Sequence, residues 1–338
     1  MMSYHTPEII VDTAGLSNDD WLEYRRQGIG GSDAAILFGQ SPWETRRGLY
    51  YNKIGEKPII AEEDNFVAKE VGHLLEPLVA ELFQKETGYR VYKDTNMYRH
   101  PDYPFMLVNL DYMVELPDGR KAILECKTGS VYTADKWKDG MVPANYETQC
   151  RHEMAVMGID ICFIARLLGN LEDGFGFVRI DRDEDIENDL IQVEEDFWQY
   201  VTAREVPSLE GEDGELAIET LRKYVAVNAS APAVKLSPFY AKTLREIKVL
   251  QEEKSETEKV VTSLAERIKT MYVPIIDELG SAMQGECVGA DGSTFTVTYK
   301  PSVRNTVDAK KLKADEPIIY EKYVKQTESR RFCIAKAS

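Results

Sequence analysis

The chain has 338 residues, of which 43% are hydrophobic and 29% are charged, and its net charge is −17. This length and composition indicate a globular protein with about two domains. The sequence contains no apolar run of roughly 18 residues, the length that a membrane span needs. It also shows no basic-then-apolar leader. The cysteines, at positions 126, 150, 162, 287 and 333, form no CxxC motif. They indicate reduced thiols in a cytoplasm and argue against a disulfide framework, structural zinc or an iron–sulfur cluster.

The negative charge is concentrated in one segment. Residues 181–220 contain fifteen acidic residues and two arginines, a net of −13, which leaves −4 for the rest of the chain. A protein that binds nucleic acid needs basic surface, and the remaining residues can still present it locally. The overall charge therefore does not exclude DNA as a partner.

Two helices and a strand are predicted in the first hundred residues. One helix begins near Ser32, an N-cap residue followed by helix formers. A long amphipathic helix covers residues 65–88, and residues 89–99 follow it as a strand. The apolar stripe of the long helix comprises Val67, Val71, Leu74, Leu75, Leu78, Leu82 and Phe83.

Residues 105–127 are predicted to form a β-hairpin. A strand over residues 105–116 leads into Pro117-Asp118-Gly119, a strong turn signal, and the chain returns through residues 121–127. Successive side chains of a strand point to opposite faces. One face of the returning strand is therefore predicted to face the core, while Glu125 and Lys127 share the other.

The hairpin also predicts a metal site. With the turn centred on Asp118, Asp111 lies opposite Glu125, and the two Cβ atoms are roughly 4.5–5.5 Å apart. Carboxylates at that distance repel each other unless a cation lies between them, and Mg²⁺ prefers carboxylate, water and phosphate oxygens. Lys127 would place an ammonium beside the metal. The alternative is a half-exposed strand whose charged side chains face water.

A helix, two strands and a further helix are predicted after the hairpin, over residues 143–158, 162–168, 176–180 and 184–204. This order of elements indicates an α/β core in which helices flank a mixed sheet. A first domain is predicted over residues 1–205. Residues 206–235 are interpreted as a linker, and residues 236–338 as a helical segment with heptad spacing followed by a small α+β region.

Four separated segments resemble the PD-(D/E)xK nuclease superfamily and, within it, the YqaJ-type viral recombinases, the family of phage lambda exonuclease. They are WLEYRRQGIGGSD from Trp21, GHLLEP from Gly72, the Asp111…Glu125-x-Lys127 hairpin, and YETQ from Tyr146. The resemblance covers about residues 18–205, with the segments in the family's order. It implies a restriction-endonuclease-like PD-(D/E)xK core.

The resemblance implies a role for each matched residue of the centre. The metal-binding carboxylates would be Glu76, Asp111 and Glu125, with the main-chain carbonyl of Cys126 as an additional ligand. Lys127 would orient or deprotonate the attacking water. Gln149 would help to position that water and the scissile phosphate.

A second group matches the residues that hold a terminal 5′-phosphate in lambda-type exonucleases. These are Arg25 and Ser32, and the spacing from Trp21 favours Arg25 over its neighbour Arg26. Guanidinium and hydroxyl groups are suitable donors to a phosphate. The sequence departs from the family motif at Leu110, which precedes Asp111 where the family has proline.

The implied function is that of a deoxyribonuclease: a 5′→3′ exonuclease that digests linear double-stranded DNA and leaves 3′ tails for phage-type recombination. The implied cofactor is Mg²⁺, as one or two ions, with Mn²⁺ as a substitute. The implied partners are duplex DNA, a single-strand annealing protein and further copies of the chain in a ring, with no membrane. The implied location is the cytoplasm of a bacterial host, with a phage or prophage gene.

Two alternatives stay open from the sequence. The first is an endonuclease of the same fold that cuts internal or structured DNA. The second is a non-catalytic DNA-binding or assembly protein, with the heptad segment as its interface. Intact carboxylates and lysine argue against the second alternative, because a binding protein has no need of a catalytic set.

Overall fold

The computed structural model describes residues 5–59, 66–228, 230–324 and 332–334. The chain forms two compact units, residues 1–229 and residues 230–338. Within the described residues, no helix combines the length and the apolar character that crossing a membrane requires.

The first unit is a mixed α/β structure, as predicted. Its helices are α1 (Asn18–Arg25), α2 (Gly31–Leu37), α3 (Arg46–Lys53), α4 (Phe66–Thr87), α5 (Ala144–Met157), α6 (Glu184–Ala203) and α7 (Gly214–Tyr224). Its strands are β1 (Glu8–Asp12), β2 (Arg90–Tyr92), β3 (Asn96–Arg99), β4 (Leu107–Asn109), β5 (Tyr112–Glu115), β6 (Lys121–Gly129), β7 (Ile161–Leu168) and β8 (Phe175–Asp181). Short 3₁₀ helices cover Val131–Gly140 and Glu172–Gly174.

The central sheet has five strands in the order β2-β5-β6-β7-β8. Only the pairing of β6 with β7 is parallel; the other neighbours are antiparallel. The parallel pair is joined by α5, since a parallel connection needs a crossover. Strands β1, β3 and β4 form a separate antiparallel sheet.

Strand β6 is buried on both faces, whereas the sequence predicts one core face. Ala122 and Leu124 belong to a core cluster with Val79 and Phe83 of α4. Ile123 belongs to a second cluster, which contains Met154 of α5. Helices therefore cover both faces of β6, and the acidic residue of this strand, which is 3% exposed, lies in the interior.

The two long strands predicted upstream are each divided. Residues 89–99 contain β2 and β3, and residues 105–116 contain β4 and β5. In both cases one half joins the central sheet and the other half joins the small sheet. The second division falls at Leu110 and Asp111, so Asp111 leaves the regular strand at the point where the chain changes sheets.

Helix α4 agrees with the predicted helix, of which residue 65 lies outside the described residues. The predicted apolar stripe of this helix is largely wrong. The most deeply buried side chains are those of Val79, Ala80 and Phe83, in the second half of the helix. Val67 and Leu74, in the first half, are 73% and 69% exposed. The difference arises because the second half packs on the sheet, which helical periodicity by itself does not reveal.

Part of the predicted linker is folded. Residues Gly214–Tyr224 form α7, and Asp213 caps it by accepting hydrogen bonds from the first backbone N–H groups. Thr220 is buried and its hydroxyl lies 2.8 Å from that of Thr45, while Tyr224 stacks on Tyr51. Helix α7 is therefore part of the first unit.

The second unit begins with a single long helix. Helix α8 covers Tyr240–Leu279, and the predicted hairpin follows it as the antiparallel strands β9 (Gln284–Val288) and β10 (Thr294–Thr298). Two short helices, α9 (Ala309–Asp315) and α10 (Pro317–Tyr323), come next. None of these elements contains a buried residue among those described.

Candidate active site

A tight turn sets the register of the acidic pair. Gly119 has φ of +86°, a backbone conformation that glycine adopts without strain. Strands β5 and β6 pair with Tyr112 opposite Leu124. Continuing this register by one residue sets Asp111 opposite Glu125, which is the predicted arrangement.

The backbone of β6 holds the Asp111 carboxylate. Oδ2 of Asp111 accepts a hydrogen bond of 2.9 Å from the backbone N–H of Cys126. Because Asp111 lies outside the strand ladder, its side chain is free to turn towards β6. The predicted carbonyl ligand on Cys126 stays a prediction.

Glu125, Lys127 and Gln149 form a hydrogen-bonded triad. Nζ of Lys127 donates to Oε1 of Glu125 at 2.5 Å and to Oε1 of Gln149 at 3.0 Å. Nε2 of Gln149 also donates to Oε1 of Glu125, at 2.6 Å. Nζ of Lys127 lies 4.8 Å from the ring centre of Tyr146, a cation–π contact from the same helix as Gln149.

The pKa values of Asp111 and Lys127 depend on burial and on the neighbouring charges. Burial, and then the nearby Glu125 carboxylate, raise the pKa of Asp111 to about 7. Burial favours the neutral amine of Lys127, but the carboxylates of Glu125 and Asp111 outweigh it and raise the pKa of Lys127. Lys127 is therefore an ammonium, which suits it to orient a ligand by its charge and leaves it no lone pair to accept a proton.

Glu76 joins the same acidic centre from α4. Burial, and then the charge of Asp111, raise the pKa of Glu76. Nζ of Lys93 donates to Oε1 of Glu76 at 2.6 Å, and it lies 4.6 Å from the ring centre of Tyr112. Lys93 thus supplies positive charge beside carboxylates that repel each other.

The chemistry of these donors, three carboxylates, suits a hard divalent cation. Glu76, Asp111 and Glu125 would supply the oxygen ligands, as the sequence resemblance implies, and Mg²⁺ binds such carboxylates together with water and phosphate oxygens. The raised pKa values of Glu76 and Asp111 show that the centre holds more negative charge than its surroundings stabilise. A cation would remove this excess.

Arg25 and Ser32, predicted to bind a terminal phosphate, are in direct contact. Nη2 of Arg25 donates to Oγ of Ser32 at 2.6 Å and to Oδ1 of Asp33 at 3.0 Å. The neighbouring Arg26 instead pairs with Glu23, at 2.7 Å. The structure therefore distinguishes the two arginines: Arg25 is the one that lies with Ser32.

Arg25 contacts a buried ion pair formed by Lys53 and Asp33. Nζ of Lys53 lies 2.6 Å from Oδ2 of Asp33, and the Lys53 side chain is 2% exposed. Burial opposes the charged form of Asp33, but Arg25 and Lys53 outweigh it and lower the pKa of that carboxyl. Asp33 is therefore a fixed negative charge that holds the Arg25 guanidinium in place.

The phosphate-binding candidates and the acidic centre meet at Gly31. A Cβ atom at this position would lie 2.9 Å from Cγ of Gln149 and 3.0 Å from Oε1 of Glu153. Only glycine allows α2 and α5 to approach so closely without one of them shifting. Ser32, the next residue, is consequently held beside the helix that carries Gln149.

The sequence interpretation gave no role to four supporting residues, although the first of them ends the motif that begins at Trp21: Asp33, Lys53, Lys93 and Glu153. Of these, Glu153 had a usable signal, because it follows Gln149 by four residues and so shares its helix face. Lys53 and Lys93 act through contacts with residues 17 or more positions away in the chain. No local pattern marks such contacts.

Glu153 is expected to position Gln149. Oε1 of this 1% exposed residue accepts from Nε2 of Gln149 at 2.9 Å, and so directs the Gln149 carbonyl oxygen towards Lys127. Burial first, and then Glu125, raise the pKa of Glu153. Glu153→Leu should lower kcat for DNA hydrolysis by about tenfold with little change in KM, because a misplaced amide costs the transition state more than the ground state.

Two variants check this role. Glu153→Gln keeps an acceptor oxygen and should retain kcat within about threefold. Cys150→Ala removes a fully buried neighbour on α5 and should lower the melting temperature without changing kcat. Equal kcat in Glu153→Leu and the wild type would show that Glu153 is only a packing residue.

The fold and the site define the class of protein. A mixed sheet carries an Asp111…Glu125-x-Lys127 hairpin, and the crossover helix beside it adds Gln149. This arrangement resembles that of the PD-(D/E)xK nucleases.

Comparison with solved structures finds exonucleases. An alkaline exonuclease (LHK-Exo) from Laribacter hongkongensis is 20% identical, with a TM-score of 0.47, and the match covers 55% of this chain and 94% of that one. A phage-related exonuclease from Haemophilus somnus 129PT is 15% identical, with a TM-score of 0.38, over 54% of this chain and 99% of that one.

Comparison of sequences gives the family. The family model described as the YqaJ-like viral recombinase domain matches residues 20–160. The uncharacterized protein YqaJ of Bacillus subtilis (strain 168) is 33% identical over 340 residues, with 100% of both chains covered. The chain belongs to the YqaJ-like viral recombinase family.

Proposed function

We propose that the chain is a metal-dependent 5′→3′ exonuclease that digests linear double-stranded DNA and leaves 3′ single-stranded tails. The observation that carries this proposal is the close packing of α2 on α5 at Gly31. It joins a candidate phosphate-binding pair, Arg25 and Ser32, to the helix of Gln149. A nuclease that holds a terminal phosphate beside its catalytic residues acts on ends.

The residues of the centre have different roles in phosphodiester hydrolysis. Lys127 and Gln149 face the same Glu125 oxygen and so define a place for the scissile phosphate and the attacking water. The Lys127 ammonium stabilises the negative charge that develops on the phosphate. A divalent ion held by Glu76, Asp111 and Glu125 would add positive charge at the phosphate and make water a stronger acid.

Further parts of the proposal follow from the family. The cofactor would be Mg²⁺, as one or two ions, with Mn²⁺ as a substitute. The 3′ tails would be passed to a single-strand annealing protein for phage-type recombination in the host cytoplasm. Several copies of the chain would surround the DNA as a ring.

Digestion of end-labelled duplexes in Mg²⁺ tests the proposal. Three substrates are compared: a linear duplex with 5′-phosphate ends, the same duplex with 5′-hydroxyl ends, and a closed circle. We expect progressive loss from phosphorylated ends, slower digestion of hydroxyl ends and no cutting of the circle. Arg25→Ala should reduce the preference for phosphorylated ends by about 10- to 100-fold, the value of a charge-assisted hydrogen bond.

Arg26→Ala is the matched control, because Arg26 is the adjacent arginine and pairs with the exposed Glu23. It should keep the preference for phosphorylated ends. Cutting of the circle would favour the endonuclease alternative. DNA binding without cleavage in either Mg²⁺ or Mn²⁺ would favour a non-catalytic binding protein.

A further inference from the structure

Helix α8 carries an exposed apolar stripe with heptad spacing. It is 40 residues long, which corresponds to about 60 Å. Leu250 and Val261 are 62% and 60% exposed, and Leu264 and Ile268 are 47% exposed each. An apolar stripe of this length on one helix is typical of a helix that packs against another.

The stripe has two apolar halves around a polar centre. In heptad notation, the a positions are Tyr240, Ile247, Lys254, Val261 and Ile268, and the d positions are Thr243, Leu250, Thr257, Leu264 and Met271. Lys254 and Thr257 interrupt the apolar sequence, with four predominantly apolar a and d positions on the N-terminal side and four on the C-terminal side. A polar interruption at an a position specifies register in paired helices.

We propose that α8 pairs with α8 of a second copy of this chain in an antiparallel coiled coil, centred between Ser255 and Glu256. In this register Ile247 lies opposite Leu264 of the other copy, and Leu250 lies opposite Val261. Each apolar half therefore packs on the opposite apolar half. Lys254 lies opposite Thr257, so the two polar positions meet each other.

Charge complementarity favours the antiparallel direction. The g positions Glu246 and Arg267 lie opposite each other across the antiparallel interface, which gives two attractive pairs for each dimer. A parallel dimer would instead place Lys254 against Lys254 at an a position. It would also place Glu253, at g, opposite Glu258 of the other copy, at e. Like charges at these positions select against the parallel pairing.

Cysteine cross-linking tests the direction in the full-length chain. The exposed Cys287 and Cys333 are first replaced by serine. A copy with Ile247→Cys is then mixed with a copy with Leu264→Cys under mild oxidation. We expect a disulfide between these two copies and little between two copies of Ile247→Cys, since their positions lie at opposite ends of the antiparallel pair.

Charge reversal tests the pairing of Glu246 with Arg267. Glu246→Arg or Arg267→Glu, each present in both copies, should weaken the cross-linked pair about tenfold by turning two attractions into repulsions. A mixture of a Glu246→Arg copy with an Arg267→Glu copy should restore cross-linking, because each arginine then faces a glutamate. Glu252→Arg and Arg245→Glu are the matched controls, at f positions on the outer face, and should have no effect.

The outcomes are distinct. Cross-linking between two Ile247→Cys copies would show a parallel pair, and the absence of intermolecular cross-linking in every combination would show that α8 does not pair with itself. Either result overturns the proposal. A ring formed by the first unit does not affect the test, because the measured disulfide lies on α8.

Discussion

Lys127→Met is expected to lower the rate of DNA hydrolysis by about 10²- to 10³-fold while leaving DNA binding measurable. The ammonium is the positive group closest to Glu125, and it also holds the carbonyl oxygen of Gln149. Its loss removes charge stabilisation at the phosphate and releases the Gln149 amide. Single-turnover digestion of a 5′-phosphorylated duplex, with binding measured separately in Ca²⁺, separates the chemical step from affinity.

Two further lysine variants test whether the effect is specific to Lys127 and which role its ammonium has. Lys121→Met changes an exposed lysine at the start of the same strand and should retain activity within about twofold. Lys127→Arg keeps a charged donor that cannot lose its proton. Partial activity of Lys127→Arg would support an orienting role, whereas loss equal to that of Lys127→Met would favour proton transfer by the lysine. Unchanged hydrolysis by Lys127→Met would refute the mechanism.

Asp111→Asn is expected to abolish hydrolysis and metal binding while making the metal-free protein more stable. The pKa of Asp111 is about 7, because burial and the charge of Glu125 disfavour its carboxylate form. Asparagine keeps an oxygen that can accept from the N–H of Cys126 and carries no charge. At pH 8 we expect the free energy of unfolding to rise by about 1–2 kcal/mol without metal.

The pH dependence gives the sign of this effect. Between about pH 4 and pH 7 the folded wild type binds a proton at Asp111 that the unfolded chain has released. The wild type therefore loses stability as the pH rises through this window, and the gain from Asp111→Asn should be small at pH 5 and largest at pH 8. Thermal unfolding of both proteins in a chelator, at several pH values, measures the difference.

Metal binding provides a second measurement on the same variant. Mn²⁺ at about 100 times its dissociation constant should stabilise the wild type by about 2.7 kcal/mol and Asp111→Asn hardly at all. Glu115→Gln, at an exposed position of β5, is the control and should respond as the wild type does. Equal stabilisation of the wild type and Asp111→Asn would exclude Asp111 as a metal ligand.

The hairpin could be predicted from the sequence because its determinants are local. Pro117-Asp118-Gly119 specifies a turn, and a turn of known centre fixes which residues face each other across two strands. The structure pairs Tyr112 with Leu124, and continuing that register by one residue brings Asp111 to Glu125. Helix α5 was predicted for a similar reason: Pro143 at its start and Gly158 at its end lie within the segment itself.

Other features depend on which element packs against which. The first half of α4 has the same apolar spacing as the second half, but the residues buried most deeply are Val79, Ala80 and Phe83, in the half that packs on the sheet. The predicted linker, residues 206–235, contains α7, which is stabilised by contacts such as that between Thr220 and Thr45, the residue that caps α3. Periodicity and composition do not contain this information.

By itself, the sequence determined the mixed α/β class, the acidic hairpin with its lysine, and the membership in the recombinase family that these motifs indicate. Only the tertiary structure decided which residues hold the site in place. Asp33 pairs with both Arg25 and Lys53. Lys93 pairs with Glu76, and Glu153 accepts a hydrogen bond from Gln149. The physical reason is the range of the interactions. Turn geometry and helix periodicity act between near neighbours in the chain, whereas a buried charge is stabilised by partners that only folding brings within hydrogen-bonding distance.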